Sequence, residues 1–241
     1  MADSPLFPLG ARFAPPSGNY RWVEPWGAPL RVMHWVAALA ILVLIVTGFY
    51  IGRPYFMTTG APPQYLMGYI RLIHFVAAGV FVMTGLVRVY WLFAGNQFER
   101  LPALFPVRKR DWVNLVTQVK YYLMIHPERA PHYIGHNPLQ QLSYTTTYVV
   151  SIVVMLTGFA MYGQAEPGGF FYTITQPLTL AVGGIQVVRL VHHLCVWWFI
   201  IFPIMHIYLV IRKEVTERGG GLSGIINGGH YIRADKQYVD E

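Results

Sequence analysis

The stretch VVRLVHHLCVWWFIIFPIMHIYLVI, residues 187–211, decides the fold of this protein. It contains one arginine, no acidic residue and three histidines. A run this long and apolar can cross the hydrocarbon core of a bilayer, which is about 30 Å thick and takes about 20 helical residues. We therefore predict a transmembrane helix over residues 186–211, with Pro203 inside it, an arrangement that membrane bundles tolerate.

Three further apolar stretches have the same character. They predict helices over residues 30–51, 67–94 and 139–163. Of the 241 residues, 54% are hydrophobic and only 12% are charged, about half the charged fraction of a soluble domain. The sequence therefore predicts an all-α, integral membrane four-helix bundle. Its predicted parts are an N-terminal segment, the bundle and a C-terminal tail, over residues 1–28, 29–212 and 213–241.

The basic residues indicate the orientation of the bundle. They are concentrated in the N-terminal segment, in the loop between the second and third helices and in the C-terminal tail, whereas the other two loops contain only Arg53. Because loops rich in Lys and Arg stay in the cytoplasm, both termini are predicted to be cytoplasmic. The net charge of +7 is thus a topology signal of a multi-pass protein of the bacterial or archaeal inner membrane, with lipid and not nucleic acid as its partner.

Ionisable side chains at membrane depth are costly and usually functional. In the last helix, His192 and His206 are 14 residues apart, which returns to within about 40° of the same helix face and separates them by about 21 Å along the axis. His193 lies on a different face from His206. The last helix therefore presents ligands at two depths, with His193 as the bystander.

The topology supplies partners for both histidines. The second and fourth helices begin on the outer side, so His74 and His192 share the outer depth. By the same argument, His34 and His206 share the inner depth. Two imidazoles fill both axial positions of a haem iron, which favours electron transfer. The alternative is that each histidine simply hydrogen-bonds a neighbouring helix.

Other cofactors fit this pattern less well. Zinc requires ligands gathered at one depth, and no cysteine or carboxylate joins the histidines within the helices. The single cysteine, Cys195, excludes a C-x-x-C-H site, so haem would be held without covalent attachment. The sequence therefore predicts haem b at two levels of the bundle.

An arginine precedes three of the four histidines by three residues, in the pairs Arg31–His34, Arg71–His74 and Arg189–His192. This spacing puts each arginine on the same helix face, one turn nearer the membrane surface. A guanidinium there could pair with a haem propionate. The alternative is an arginine that snorkels from the helix end.

One short phrase occurs twice. LIVTGF ends the first helix at residues 44–49, and VMLTGF recurs near the end of the third at residues 154–159. Two short matches are a faint internal similarity, on which we base no prediction.

Several phrases in this order resemble the b-type cytochrome subunit of membrane-bound nickel–iron hydrogenases, which is related to the cytochrome b subunit of formate dehydrogenase. The phrases are LRVMHWVAALAILVLIVTGFYIG, MGYIRLIHFVAAGVF, RVYWLFAGN, IGHNPL, LTGFAMYG and HIYLVIRKE. MGYIRLIHF and GHNPL are the characteristic ones, and the likeness covers roughly residues 20 to 230. One departure is Arg189, because relatives often have a second histidine three residues before the ligand in the fourth helix.

The resemblance implies two b haems, with His34, His74, His192 and His206 as ligands. It implies a small iron–sulfur subunit and a large nickel–iron subunit as partners on the outer face. Electrons would leave to a quinone, either menaquinone or ubiquinone, near the inner haem. The quinone site of the related formate enzyme corresponds here to Gly135, His136 and Asn137. Helix-start chemistry, with Asn137 as the capping residue, is an alternative compatible with that role.

The chain lacks the cysteines that nickel–iron or iron–sulfur ligation needs. We therefore expect an electron-transfer subunit with no hydrogen-activating site of its own, whose only possible chemistry is quinone reduction. The same module could instead serve another outer-face enzyme, of the formate or thiosulfate type. A transporter or a structural anchor with incidental histidines is the alternative from a different class.

Overall fold

A computed structural model describes residues 19–55, 65–106, 108–123, 125, 131–217 and 220–241 of the chain. Four long helices dominate it: α1 Ala28–Gly52, α2 Leu66–Ala94, α5 Pro138–Gly163 and α7 Ile185–Glu217. Shorter elements connect or flank them: β1 Tyr20–Val23, α3 Leu101–Leu104, α4 Lys109–Tyr122, α6 Phe170–Ala181, α8 Gly221–Asn227 and β2 His230–Arg233.

The four long helices are long and apolar enough to cross a membrane. Few of their side chains are buried within the chain, and large apolar ones such as Leu39 and Phe93 are exposed. This distribution suits a bundle whose outer surface contacts lipid. The four predicted spans are thus confirmed, although α7 continues six residues beyond its predicted end and remains one helix through Pro203.

The bundle is organised as two helix pairs. Helix α1 packs mainly on α2, and α5 packs on α7, while α1 and α7 also touch. The segment after α5, which carried little sequence signal, forms α6. Its Thr175 and Thr179 are buried, whereas Phe170 and Ile174 remain exposed.

The two ends of the described chain meet on one side of the bundle. Strand β1 pairs with β2 in an antiparallel register that joins Tyr20 to Arg233 and Val23 to His230. Just beyond β1, the backbone N–H of Trp26 donates to the carbonyl of Gly228. We call β1, α8, β2 and residues 234–241 the terminal cap, and the end of the bundle that it covers the inner end. Residues 1–18 of the predicted N-terminal segment lie outside the described residues, and the predicted boundary at residues 212–213 falls inside α7.

Two carboxylates, one buried and one half-buried, accept hydrogen bonds at this end. Glu99, which is 1% exposed, accepts hydrogen bonds from the backbone N–H of Gly27 at 2.6 Å and from the indole N–H of Trp91 at 2.8 Å. Asp240 accepts from the backbone N–H groups of Ile134 and Gly135, both at 2.7 Å. The first ties the start of α1 to the end of α2, and the second ties the terminal cap to the loop before α5.

Candidate haem sites

The inner histidines face each other across the bundle. His34 lies in the second turn of α1 and His206 lies late in α7, and their ring centres are 6.3 Å apart. The ring of His206 also stacks on Phe202, one turn earlier in α7, with ring centres 5.7 Å apart. The Nδ1 atom of His34 is buried without a hydrogen-bond partner among the described residues. The predicted inner pair is therefore brought together.

The outer histidines also come together, from α2 and α7. His74 and His192 are close enough to interact electrostatically. Each is held by a threonine of the helix on which its own helix packs. Nδ1 of His74 lies 2.8 Å from Oγ1 of Thr47, and Nδ1 of His192 lies 3.0 Å from Oγ1 of Thr157. His193 is exposed, as suits its predicted role as bystander.

Each threonine is followed by a glycine that lets a histidine ring approach the helix. A Cβ atom added at Gly48 would lie 3.4 Å from Cε1 of His74, and one added at Gly158 would lie 3.4 Å from Cε1 of His192. The TGF phrase that occurs twice in the sequence thus makes the same contact twice. In α1 it contacts His74 of α2, and in α5 it contacts His192 of α7. Sequence reasoning noticed the repeat but drew no role from it.

The paired histidines fit haem. Imidazoles on opposite sides of one iron put their ring centres about 6 Å apart, because a metal–nitrogen bond is about 2 Å and the ring centre lies about 1 Å further. The observed 6.3 Å between His34 and His206 agrees with this value. Within the described ranges, no group of three or more His, Cys, Asp or Glu side chains could hold a metal ion directly. The donor set thus suits a cofactor that brings its own equatorial ligands.

The three predicted propionate arginines have different surroundings. Arg71 and Arg189 are exposed near the outer end, and Arg189 donates to Oε1 of Gln186 at 3.3 Å. Arg31 is half-buried, and its guanidinium donates to the carbonyl of Ile226 in α8, while its Nε is buried without a partner in the described structure. One nitrogen of the Arg31 guanidinium therefore hydrogen-bonds the terminal cap, and only the other nitrogens remain for a haem propionate.

A buried arginine that the sequence reasoning missed lies in α2. Arg88 is 8% exposed. Its Nε donates to the hydroxyl of Tyr148 and its Nη2 to the carbonyl of Glu99, both at 3.1 Å, while Nη1 is buried with no partner among the described residues. An arginine inside an apolar helix was the available signal, because such residues are costly in a membrane.

The three predicted quinone residues lie together just before α5, and two of them have structural roles. The side chain of Asn137 accepts from the backbone N–H of Gln140 at 3.0 Å and donates to the Tyr122 hydroxyl at 3.2 Å. It is therefore the N-cap of α5. Gly135 is closely packed, because an added Cβ atom would lie 3.0 Å from the ring of Phe98.

His136 is the residue of the three with unused hydrogen-bonding capacity. Its ring packs between Trp26 and Tyr144, with ring centres at 4.6 and 4.7 Å. Burial, followed by the positive charges of Arg88 and Lys213, lowers the pKa of His136 to about 3, so the ring is neutral at pH 7. One ring nitrogen bonds the carbonyl of Phe98, and Nδ1 is buried without a partner in the described structure. A neutral imidazole has one N–H, so Nδ1 is an acceptor.

One cavity is lined by His136, and a second lies nearby beside His206. One has a volume of about 360 Å³ and a polar lining, which includes His136, Asp111, Tyr133, Gln141 and Asp240. The other, of about 50 Å³, lies beside His206 and is also lined by Phe202, Tyr144, Ser143 and Gln140. Tyr144 lines the second cavity and touches the ring of His136, so it separates that histidine from the inner pair.

The chain is similar to known proteins, both at the level of a family and at the level of individual sequences. The model of a family described as prokaryotic cytochrome b561 matches residues 25–228, a range that contains all four paired histidines.

Several curated proteins are similar along most of their length. A probable Ni/Fe-hydrogenase B-type cytochrome subunit of Azotobacter chroococcum is 41% identical over 222 residues, which cover 89% of this chain and 90% of that protein. A protein of the same description from Cupriavidus necator is 39% identical, with 83% and 84% covered. A probable Ni/Fe-hydrogenase 1 B-type cytochrome subunit of Escherichia coli is 34% identical, with 83% and 87% covered.

Proposed function

This chain belongs to the prokaryotic cytochrome b561 family, and we propose that it is the dihaem membrane subunit that carries electrons from a nickel–iron hydrogenase to the quinone pool. As a member of that family with four apolar spans, it is a multi-pass bacterial membrane protein of b-type cytochrome character. The proposal goes further in the number of haems, the source of the electrons and their acceptor.

The observation that supports two haems is the pairing of four histidines at two levels. His34 faces His206 at the inner end, and His74 and His192 meet at the outer end. Each pair draws on two different helices, so each could supply both axial ligands of one iron. Haem b, when bound, transfers single electrons, and bis-imidazole ligation leaves no open position for oxygen.

The proposed partners are the iron–sulfur and nickel–iron subunits of a hydrogenase. Similar proteins from three bacteria are described as hydrogenase cytochrome subunits. The chain itself has one cysteine, too few to ligate an iron–sulfur cluster. The hydrogen-activating centre must therefore lie in another subunit, which in the predicted topology docks on the outer face.

The proposed quinone site lies at the inner end, at His136 and the loop before α5, with Tyr144 between His136 and His206. The residues of this chain that would act there have separate roles. Gly135 and Asn137 shape and cap the loop, while the free Nδ1 of His136 accepts a hydrogen bond from a quinol hydroxyl. The polar cavity that His136 lines would admit water, and reduction of a quinone to a quinol consumes two protons with its two electrons. Neutral at pH 7, His136 would orient the quinol and not store a charge.

A pyridine haemochrome assay on the purified membrane complex tests the central claim. Two b haems per chain are expected, together with co-purification of a cysteine-rich iron–sulfur subunit. A colourless complex would refute the cytochrome role, and a formate or thiosulfate enzyme as the co-purifying partner would refute the hydrogenase assignment.

Substitution of His136 tests the quinone site. His136→Phe removes the acceptor and keeps an aromatic ring between Trp26 and Tyr144. We expect a raised KM for quinone with unchanged haem content, because no haem ligand is touched. An unchanged KM would remove His136 from the site. Tyr121→Phe is the matched control for an aromatic substitution at the same end of the bundle.

A further inference from the structure

We propose that Thr47 and Thr157 are positioning residues of the outer haem site, each holding the Nδ1–H of a ligand histidine so that Nε2 points to the iron. This inference rests on the haem assignment in the proposed function. It adds two residues that contact the ligands from neighbouring helices, and it makes the outer site electronically different from the inner one.

The contacts of Thr47 fix the direction of its hydrogen bond. The side chain is 5% exposed, and its hydroxyl lies 2.7 Å from the carbonyl of Val43, one turn earlier in α1. A threonine hydroxyl has one proton to donate. Because that proton goes to Val43, the oxygen accepts from His74, whose Nδ1 lies at 2.8 Å.

Thr157 repeats the arrangement in the other helix pair. Its hydroxyl lies 2.7 Å from the carbonyl of Val153 and 3.0 Å from Nδ1 of His192. The carbonyl of Val154, 3.1 Å from the same hydroxyl, also hydrogen-bonds the His192 ring. A carbonyl can only accept, so the nitrogen of His192 on this side carries a proton.

The proton on Nδ1 determines which nitrogen can bind a metal. A neutral imidazole has one protonated nitrogen and one free lone pair, so both outer histidines present Nε2. A hydrogen bond to the other ring nitrogen fixes the orientation of a metal-bound histidine and makes it a stronger electron donor. Stronger donation stabilises the oxidised iron and lowers its reduction potential.

The inner pair lacks this support in the part of the chain that the structure describes. The Nδ1 atom of His34 is buried without a partner, and the neighbour of His206 is the ring of Phe202, which accepts no such bond. The two threonines therefore lower the potential of the outer haem relative to the inner one, and the proposed electron flow inward is downhill.

Redox titration of the purified complex, followed by optical and EPR spectra, tests the inference without reference to activity. The variants are Thr47→Val, Thr157→Val and their combination, since valine keeps the shape and removes the acceptor. The outer haem is identified as the one lost in His74→Ala. We expect its potential to rise in each single variant and further in the double variant, while the inner potential stays constant and the low-spin EPR signal of the outer haem shifts.

Two controls separate positioning from packing. Thr47→Ser and Thr157→Ser keep the hydroxyl and should restore the wild-type potential. Thr146→Val removes a hydroxyl of α5 that donates to the carbonyl of Leu142 at 2.9 Å, and should change neither potential. If a valine variant loses the outer haem altogether, retention of that haem in the serine variant supports the inference.

The inference is overturned if the outer potential does not move, if both potentials move equally, or if serine behaves like valine. An absence of haem from the wild-type complex would instead refute the proposed function, so the two failures are distinguishable.

Discussion

The outer and inner histidine pairs lie in one bundle but are held by different means. At the outer end, threonines of two helices, Thr47 and Thr157, contact the two histidines from the side. At the inner end, the terminal cap holds the helix that carries His34, because Arg31 and Trp35, which flank His34 in α1, both donate to backbone carbonyls of α8. The comparison indicates that hydrogen bonds within the bundle position the outer histidines, whereas contacts with the terminal cap position the helix that carries His34.

The largest change in haem content is expected when one proposed ligand is removed from either histidine pair. His192→Ala should abolish the outer haem and leave the inner one, and His34→Ala should do the reverse, because each site would lose one of its two proposed histidine ligands. Haem per chain should fall from two to one in both variants. His193→Ala is the matched control and should keep two. Loss of both haems in either single variant would mean that the two sites are not independent.

A smaller loss of haem is expected when the glycine that leaves room for the His74 ring is replaced. Gly48→Leu places a bulky side chain where a Cβ atom alone already lies 3.4 Å from His74, so the outer haem content should fall while the inner haem remains. Gly79→Leu is the control, since nothing lies within 4 Å of a Cβ atom added there. Equal haem loss in the two variants, measured by redox-resolved spectra, would contradict the asymmetry between these glycines.

The terminal cap gives the corresponding test at the inner end. Asp240→Ala leaves the N–H groups of Ile134 and Gly135 without their acceptor and should destabilise the cap by about 2 kcal/mol, the usual cost of such a loss. Hydrogen exchange of β2 and α8 should speed up, while the outer potential stays constant. Asp235→Ala removes a carboxylate that pairs with Arg233 on the surface and should have little effect. Unchanged exchange in Asp240→Ala would show that the cap is held elsewhere.

The smallest expected effect is a pH dependence of stability that is confined to the inner end of the bundle. Burial lowers the pKa of His230 to about 4, with a contribution from Lys213, and that of His136 to about 3. Both values lie below the ordinary 6.5, so as the pH falls these two histidines bind more protons when the inner end is unfolded than when it is folded. Stability is therefore full above pH 6.5 and is lost below it, by about 1.4 kcal/mol per pH unit for each group.

Hydrogen exchange of β2 at pH 7.5 and pH 6 measures this loss, which should be about 1 kcal/mol or less for each histidine over that interval. His230→Gln should flatten the dependence, whereas an equally strong dependence at the outer end would contradict its assignment to the cap.

Much of the fold could be predicted from the sequence. Hydropathy and helix length located α1, α2, α5 and α7 to within a few residues, apart from the longer end of α7. Spacing along one helix, together with alternating topology, paired the histidines, because the positions of residues at equal depth follow from the rise per residue alone. That the pairs bind haem remains a prediction.

The rest depends on contacts that no local pattern encodes. The bond from Thr47 to His74 depends on the rotation of α1 against α2, and the sequence offered only the repeated phrase as a hint. The pairing of Tyr20 with Arg233 joins two strands that are far apart in the sequence. Each strand has four residues, too few to show a recognisable alternation of apolar and polar side chains. The hydrogen bond from Arg31 to the carbonyl of Ile226 in α8 could not be predicted either, because it joins residues far apart in the sequence.

The pairing of β1 with β2 also sets an order of assembly during translation. The residues that build the outer site, from Thr47 to His192, have all left the ribosome before β2 is made. Strand β1 can form its sheet only afterwards, because β2 is synthesised after all four spans. The terminal cap therefore forms only after both histidine pairs have been synthesised.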